Sequence, residues 1–258
     1  MPQPAQRLCI VTGTSSGIGE LVARQLAGGG WSVIGISRRP AAGLGPNYSH
    51  VQLDLGAVTS LAGVLDAKLG ARLRSSDLAR VGLVNNAADV ALLGPLDRAD
   101  AAGMLHAYAI NSVAPVVLAG WVLRTVQPRV PVRIVNVSSG AGVEPYPGLG
   151  VYGATKAALR FAGMVLGAEL DVREANGAPQ RDATIWSYEP GVVATPMQDA
   201  VRGSTPDMLP IVQVFHDLHA AGRLRAPELP AAEIVTYLQS DGHPRFAEQR
   251  FLLSREIT

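Results

Sequence analysis

Short runs of aliphatic and β-branched residues recur along the chain, separated by longer stretches whose apolar positions fall three and four residues apart. The short runs predict strands at Leu8–Thr12, Ser32–Ser37, His50–Leu53, Gly82–Asn85, Arg133–Ser138, Ala183–Tyr188 and Gln249–Leu253. Several are continuous apolar blocks rather than alternating ones, as parallel strands covered on both faces require. The longer stretches predict helices near Gly17–Gly29, Ser60–Arg72, Ala99–Thr125, Tyr152–Glu174 and Ala231–Leu238. No unit of about 20 to 50 residues repeats. Alternation over residues 1–258 therefore implies one α/β domain: a doubly wound, mostly parallel sheet of about seven strands with helices on both faces. The Pro- and Gly-rich stretch Pro196–Pro230 breaks the rhythm, with one helix expected around Ile211–Ala220. An excursion of that length reads as a lid over a binding site.

Composition narrows the classes of function. Hydrophobic residues make up 48% of 258 positions, enough for a core without disulfides or metal. A net charge of +1 gives no basic field for nucleic acid or an anionic membrane surface. Cys9 is the single cysteine, which excludes an intramolecular disulfide and suits a reducing compartment. The first residues, Met1–Arg7, lack the apolar core of a signal peptide. The longest apolar stretch, Val113–Leu123, is too short for a bilayer and contains Pro115 and Gly120. A cytoplasmic protein with no nucleic-acid and no membrane partner is expected. His216 and His219 stand three apart on an expected helix, but no cysteines or carboxylates cluster with them and no metal site is expected.

The first strand runs directly into Thr12-Gly13-Thr14-Ser15-Ser16-Gly17-Ile18-Gly19 and then a helix. Glycines there let the backbone turn sharply and approach a pyrophosphate on the positive end of the helix. The alternative is a tight strand–helix turn that needs glycine for geometry alone. The second strand ends at Ser37-Arg38-Arg39. A carboxylate at that point would take the ribose 2′-hydroxyl of NAD, whereas arginine accommodates the 2′-phosphate of NADP, so NADP(H) is favoured over an ordinary solvated arginine pair. Asp54-Leu55 follows the third strand, where Asp54 either accepts from an adenine amino group or caps the next helix.

Tyr152-Gly153-Ala154-Thr155-Lys156 sets a phenol and an ammonium four residues apart on one helix face. Such a pair suits proton delivery to a carbonyl oxygen, with the positive charge lowering the phenol's pKa toward neutrality. Ser139, thirteen residues upstream and just past a strand end, is positioned to hold the same oxygen.

With these motifs the chain resembles the short-chain dehydrogenase/reductase family, in its single-domain branch. The resemblance spans Thr12–Gly19, Asn85-Asn86-Ala87-Ala88, Asn111, Val135–Ser139, Tyr152–Lys156 and Pro190-Gly191-Val192-Val193-Ala194-Thr195. It implies a Rossmann-type fold and a catalytic set in which Ser139 orients substrate and Tyr152 is the acid/base. Lys156 would bind the nicotinamide ribose and tune Tyr152, and Asn111 would hold a relay water. It further brings Asn86, Ala87 and Ala88 to the cofactor and assigns Pro190, Gly191, Val193 and Thr195 to the nicotinamide carboxamide. Ala88 stands where the family has glycine, a change that is harmless unless the position needs positive φ. Pro145–Tyr152 and Ala221–Leu224 are similar to the sepiapterin reductases and the bacterial reductases of aromatic diketones such as benzil. The aspartate that anchors pterin in the former aligns with Leu252 or Leu253, so a bulky or aromatic dicarbonyl is the better substrate.

Tyr146, Met197, Met208 and Phe215 are the candidate pocket walls, each equally suited to core packing. Glu189 precedes Pro190-Gly191 at the ligand-binding edge of the sheet and is either a polar substrate contact or a surface ion pair. The long helices Ala99–Thr125 and Tyr152–Glu174 are apolar around much of their circumference, which implies a homodimer or homotetramer. The reading is an NADPH-dependent carbonyl reductase. Oxidation of an alcohol by the same residues, a pterin carbonyl reductase, and a non-catalytic NADP-binding sensor stand as alternatives.

Overall fold

The computed structural model describes residues 6–251. Seven strands, β1 (Gln6–Thr12), β2 (Ser32–Ser37), β3 (Tyr48–Gln52), β4 (Leu78–Asn85), β5 (Val132–Val137), β6 (Ala183–Tyr188) and β7 (Phe246–Gln249), form one sheet in the order β3-β2-β1-β4-β5-β6-β7. Every pairing is parallel. The helices are α1 (Gly17–Gly28), α2 (Val58–Leu73), α3 (Ala101–Tyr108), α4 (Ala114–Thr125), α5 (Gly150–Ala175), α6 (Pro196–Arg202), α7 (Val212–Ala220) and α8 (Glu228–Gln239).

Strand period decides which core each side chain joins. Leu8 and Ile10 of β1 enter one core with Leu61 and Leu65 of α2, Leu118 and Val122 of α4 and Leu170 of α5. Cys9 and Val11 enter a second core with Val22 and Leu26 of α1 and Ile234 and Leu238 of α8. Continuous apolar strands are thus the signature of a sheet sandwiched between two helical layers. Trp31, Trp121 and Trp186 are all buried.

Three elements differ from expectation. The run expected as one helix from Ala99 to Thr125 is α3 and α4 joined by a π-turn at Ala109–Val113. Pro115 has no N–H to return to the carbonyl of Asn111 four residues earlier, and the ladder opens there. By length and composition Ala101–Thr125 would pass for a membrane span, yet it packs Ala114, Leu118 and Val122 into the first core. The last strand lies at Phe246–Gln249, not Gln249–Leu253. Ile185 pairs with Phe246 and Tyr188 with Gln249, so the register is taken by a half-exposed edge strand upstream of the apolar tail. Leu252 and Leu253 lie outside the described residues. Within Pro196–Pro230, α7 falls where a helix was expected and α6 adds a second, started by Pro196 in its first turn.

Candidate active site

The strand order reverses between β1 and β4, so the loops leaving their C-terminal ends part and a cleft of about 810 Å³ opens between them. At its outer end the backbone turns through Gly13 at φ +73° and enters α1 at Gly17, φ +62°. A Cβ on Gly13 would lie 2.8 Å from Asn86 Nδ2, and one on Gly19 would lie 2.4 Å from the Gly13 carbonyl oxygen. Ser16 makes no side-chain cap, so the first-turn amides of α1 are left for an anionic guest. Ser15, Ser16, Gly17 and Ile18 line the cleft; Gly19 lies one layer behind, packed on Gly13 and Asn86.

Neighbouring strands complete this end. The Ser37 hydroxyl donates to the Arg39 carbonyl at 2.6 Å, bending the chain so that Arg38 and Arg39 stand exposed at the cleft mouth. Asp54 lines the same mouth and accepts from the Gly56 N–H at 2.9 Å. It does not cap α2, whose N-cap is Ala57, because a turn intervenes. Leu55 is mostly buried and lines the cleft next to it. Asn86 Nδ2 donates to the Thr12 carbonyl at 3.0 Å, and the amides of Asn86 and Ala87 both donate to Thr12 Oγ1. Ala88 has ordinary backbone angles, since among the described residues only glycines have positive φ.

At the inner end Ser139, two residues past β5, faces Tyr152 and Lys156 on α5. Lys156 is 1% exposed, donates to the Val137 carbonyl at 2.8 Å, and holds Nζ 5.7 Å from the centre of the Tyr152 ring. Burial opposes the charged form of both groups. The Tyr152 phenol is pushed up to about 12, with the Ser139 hydroxyl pulling the other way. The Lys156 ammonium is brought down to about 8 by burial. Desolvation is the largest influence on the phenol, and Lys156 bonds to the Val137 carbonyl.

Asn111 is fully buried in the π-turn, away from the cleft surface. Its Nδ2 donates to the Asp89 carbonyl at 2.8 Å and to Thr155 Oγ1 at 3.1 Å, while its Oδ1 accepts from the Asp89 N–H at 2.7 Å. Thr155 Oγ1 donates to the Tyr152 carbonyl at 2.6 Å, and Ser112 Oγ donates to the Thr155 carbonyl at 2.8 Å. This net locks the Tyr152 turn of α5 to the segment after β4. Asp89, Ser112 and Thr155 gave no signal in the sequence, because their importance lies in bonds between distant elements.

Across the cleft, Pro190, Gly191 (φ +78°), Val193 and Thr195 form the opposing edge. The Thr195 methyl group lies 3.2 Å from where a Gly17 Cβ would sit, so this edge closes onto the glycine loop. Tyr146, Met197 and Phe215 line the inner cavity. Met208 does not: the Thr205–Leu209 turn carries it over Gly94, and Leu209 takes the buried position instead. Glu189 is 2% exposed and lies behind the lining rather than on it. Burial raises its pKa, the Phe251 N–H and Arg250 counter this, and Glu248 and Glu144 add to it. Tyr146 donates to Glu144 at 2.6 Å. Phe251 lines the cavity too, a residue whose apolar neighbours disguised it as strand. His216 and His219 stand exposed on α7.

Comparison with known proteins identifies the family. The family model described as short chain dehydrogenase matches residues 7–205. The chain is 31% identical over 247 residues to benzil reductase ((S)-benzoin forming) of Bacillus cereus, covering 93% of this chain and 96% of that one. It is 29% identical over 254 residues to sepiapterin reductase of Bos taurus, covering 91% and 90%. The crystal structure of the KRED1-Pglu enzyme shares the fold, with a TM-score of 0.77 at 24% identity over 94% of this chain and all of that one.

Proposed function

The chain belongs to the short-chain dehydrogenase family, and on that footing we propose that it is an NADPH-dependent reductase of ketones and vicinal diketones, with bulky or aromatic dicarbonyls favoured. The observation that carries this reading is the convergence of Ser139, Tyr152 and Lys156 at the inner end of a cleft whose outer end is a glycine cradle. Kinship with the benzil and sepiapterin reductases supports the substrate class.

Arginines 38 and 39, with no carboxylate beside them at the end of β2, support a ribose 2′-phosphate and hence NADP(H). A bound reduced nicotinamide supplies hydride to the carbonyl carbon. The chain supplies the rest. Ser139 holds the carbonyl oxygen, and the Tyr152 phenol delivers the proton to it. A phenol that resists ionisation is the right species to donate. Lys156 stabilises the phenolate left behind and returns its proton supply through the Asn111 turn. Since the Asn111 side chain is committed to Asp89 and Thr155, a relay water falls to its main-chain carbonyl, which Pro115 deprives of a helical donor. Residues 196–230 act as the lid, with Met197 and Phe215 as apolar walls.

Leu105, Val116, Phe161, Val165 and Val172 of α3, α4 and α5 are exposed apolar residues, which supports a homodimer or homotetramer through that layer. A monomeric mass by light scattering at micromolar concentration speaks against it. The functional test is NADPH consumption with benzil, an aliphatic diketone, sepiapterin and a simple aldehyde. Turnover fastest with benzil is expected; NADPH binding without turnover of any of the four refutes the reductase reading.

A further inference from the structure

Glu189 is a carboxylate directly after β6, 2% exposed, that is not among the residues lining the cleft. Burying such a group is unfavourable unless hydrogen bonds and charge compensate. Its compensation comes from the far end of the chain. The Glu189 N–H donates to the Gln249 carbonyl at 3.0 Å, and its Oε2 accepts from the Phe251 N–H at 3.0 Å. Arg250 Nε lies 3.6 Å from Glu189 Oε1 and 3.7 Å from Glu248 Oε1, and Arg250 Nη2 lies 3.9 Å from Glu144 Oε1. Residues 249–251 are therefore pinned by one buried acid and steadied by two others.

The pin determines where the Phe251 ring goes. The ring packs on Gly191, where a Cβ would lie 3.0 Å from its Cγ and Cδ1. The Arg225 guanidinium sits 5.6 Å from the ring centre and donates to the Pro190 carbonyl at 2.7 Å. One face of Phe251 is thus fixed against the Pro190–Gly191 edge. The residue also lines the main cleft, alongside Gly140, Tyr146 and Val192 near Ser139.

We propose that Phe251 is a specificity-determining wall of the substrate pocket that receives a flat aryl substituent of the substrate, and that Glu189 is the positioning residue holding it there through its backbone N–H. This rests on the reading of the cleft as a carbonyl-reductase site. It gives a function to the buried acid and accounts for an aromatic side chain that belongs to neither helical core.

The experiment compares the full chain with Phe251→Ala, Phe251→Leu, Glu189→Ala and Glu189→Gln. Two quantities are read: the ratio of kcat/KM for benzil over butane-2,3-dione, and the hydrogen-exchange rate of the Phe251 amide. Stacking of two rings predicts that Phe251→Ala lowers the ratio about tenfold, chiefly through the KM for benzil. Phe251→Leu, which keeps volume without a flat face, lowers it too. Glu189→Ala shifts the ratio in the same direction and speeds exchange at Phe251. Glu189→Gln retains an acceptor oxygen and restores both. An unchanged ratio in both Phe251 variants overturns the wall. A Glu189→Ala variant with wild-type exchange, or a Glu189→Gln variant no better than alanine, overturns the pin. If the wild-type chain reduces neither diketone, the diketone-reductase reading fails by itself, and the exchange rates still support or overturn the pin.

Discussion

Lys156→Met separates the electrostatics of the site from its chemistry. The ammonium is 1% exposed, and burial brings its pKa from 10.5 to about 8. The folded chain thus holds this proton less tightly than the unfolded chain. Between those values the unfolded chain binds more protons, so stability rises with pH across that window. Below about pH 8 the full penalty of burying the charge is present, about 3 kcal/mol at 1.36 kcal/mol per pKa unit. Raising the pH from about 7 to about 9.5 relieves about 2 kcal/mol of it. Methionine carries no titrating group, so the variant lacks this gain. Its lost bond to the Val137 carbonyl contributes an offset that does not vary with pH. Urea unfolding of both proteins without cofactor, repeated at several pH values, measures the difference directly. The wild type gains about 2 kcal/mol relative to Lys156→Met over that range. Parallel stability curves refute the buried-charge assignment, whatever happens to activity.

Other perturbations test other parts of the account. Gly19→Ala places a Cβ 2.4 Å from the Gly13 carbonyl oxygen; overpacking of about 1–3 kcal/mol is expected in thermal unfolding, with loss of NADPH binding by fluorescence titration. Replacing Arg38 and Arg39 by alanine raises the KM for NADPH about 10- to 100-fold and leaves that for NADH within a fewfold, as steady-state kinetics with each cofactor measures. Burial pushes the Cys9 thiol far above its ordinary range, so iodoacetamide labels it only after unfolding, as intact mass shows.

The apolar runs of β1 and β2 announced themselves because a strand covered on both faces has no solvent side to interrupt it. The start of β4 was hidden by Arg80, whose guanidinium pairs with Asp241 and the Leu238 carbonyl. The tail misled in the opposite sense, since Phe251 is apolar for a pocket and not for a strand. At the site, motif residues such as Gly13, Tyr152 and Lys156 were legible because their chemistry needs short, fixed spacings. The Glu189–Phe251 bond spans 62 residues and leaves no local trace. Desolvation is equally invisible in a sequence, and it is what pushes the Tyr152 phenol up.

Delivery of the proton by Tyr152 in an NADPH-dependent reduction is checked by Tyr152→Phe, assayed for NADPH oxidation with benzil and, separately, for NADPH binding. Loss of a general acid predicts a fall in kcat of about 100-fold or more with the cofactor Kd within a fewfold of wild type. Turnover by the variant at near the wild-type rate contradicts the account.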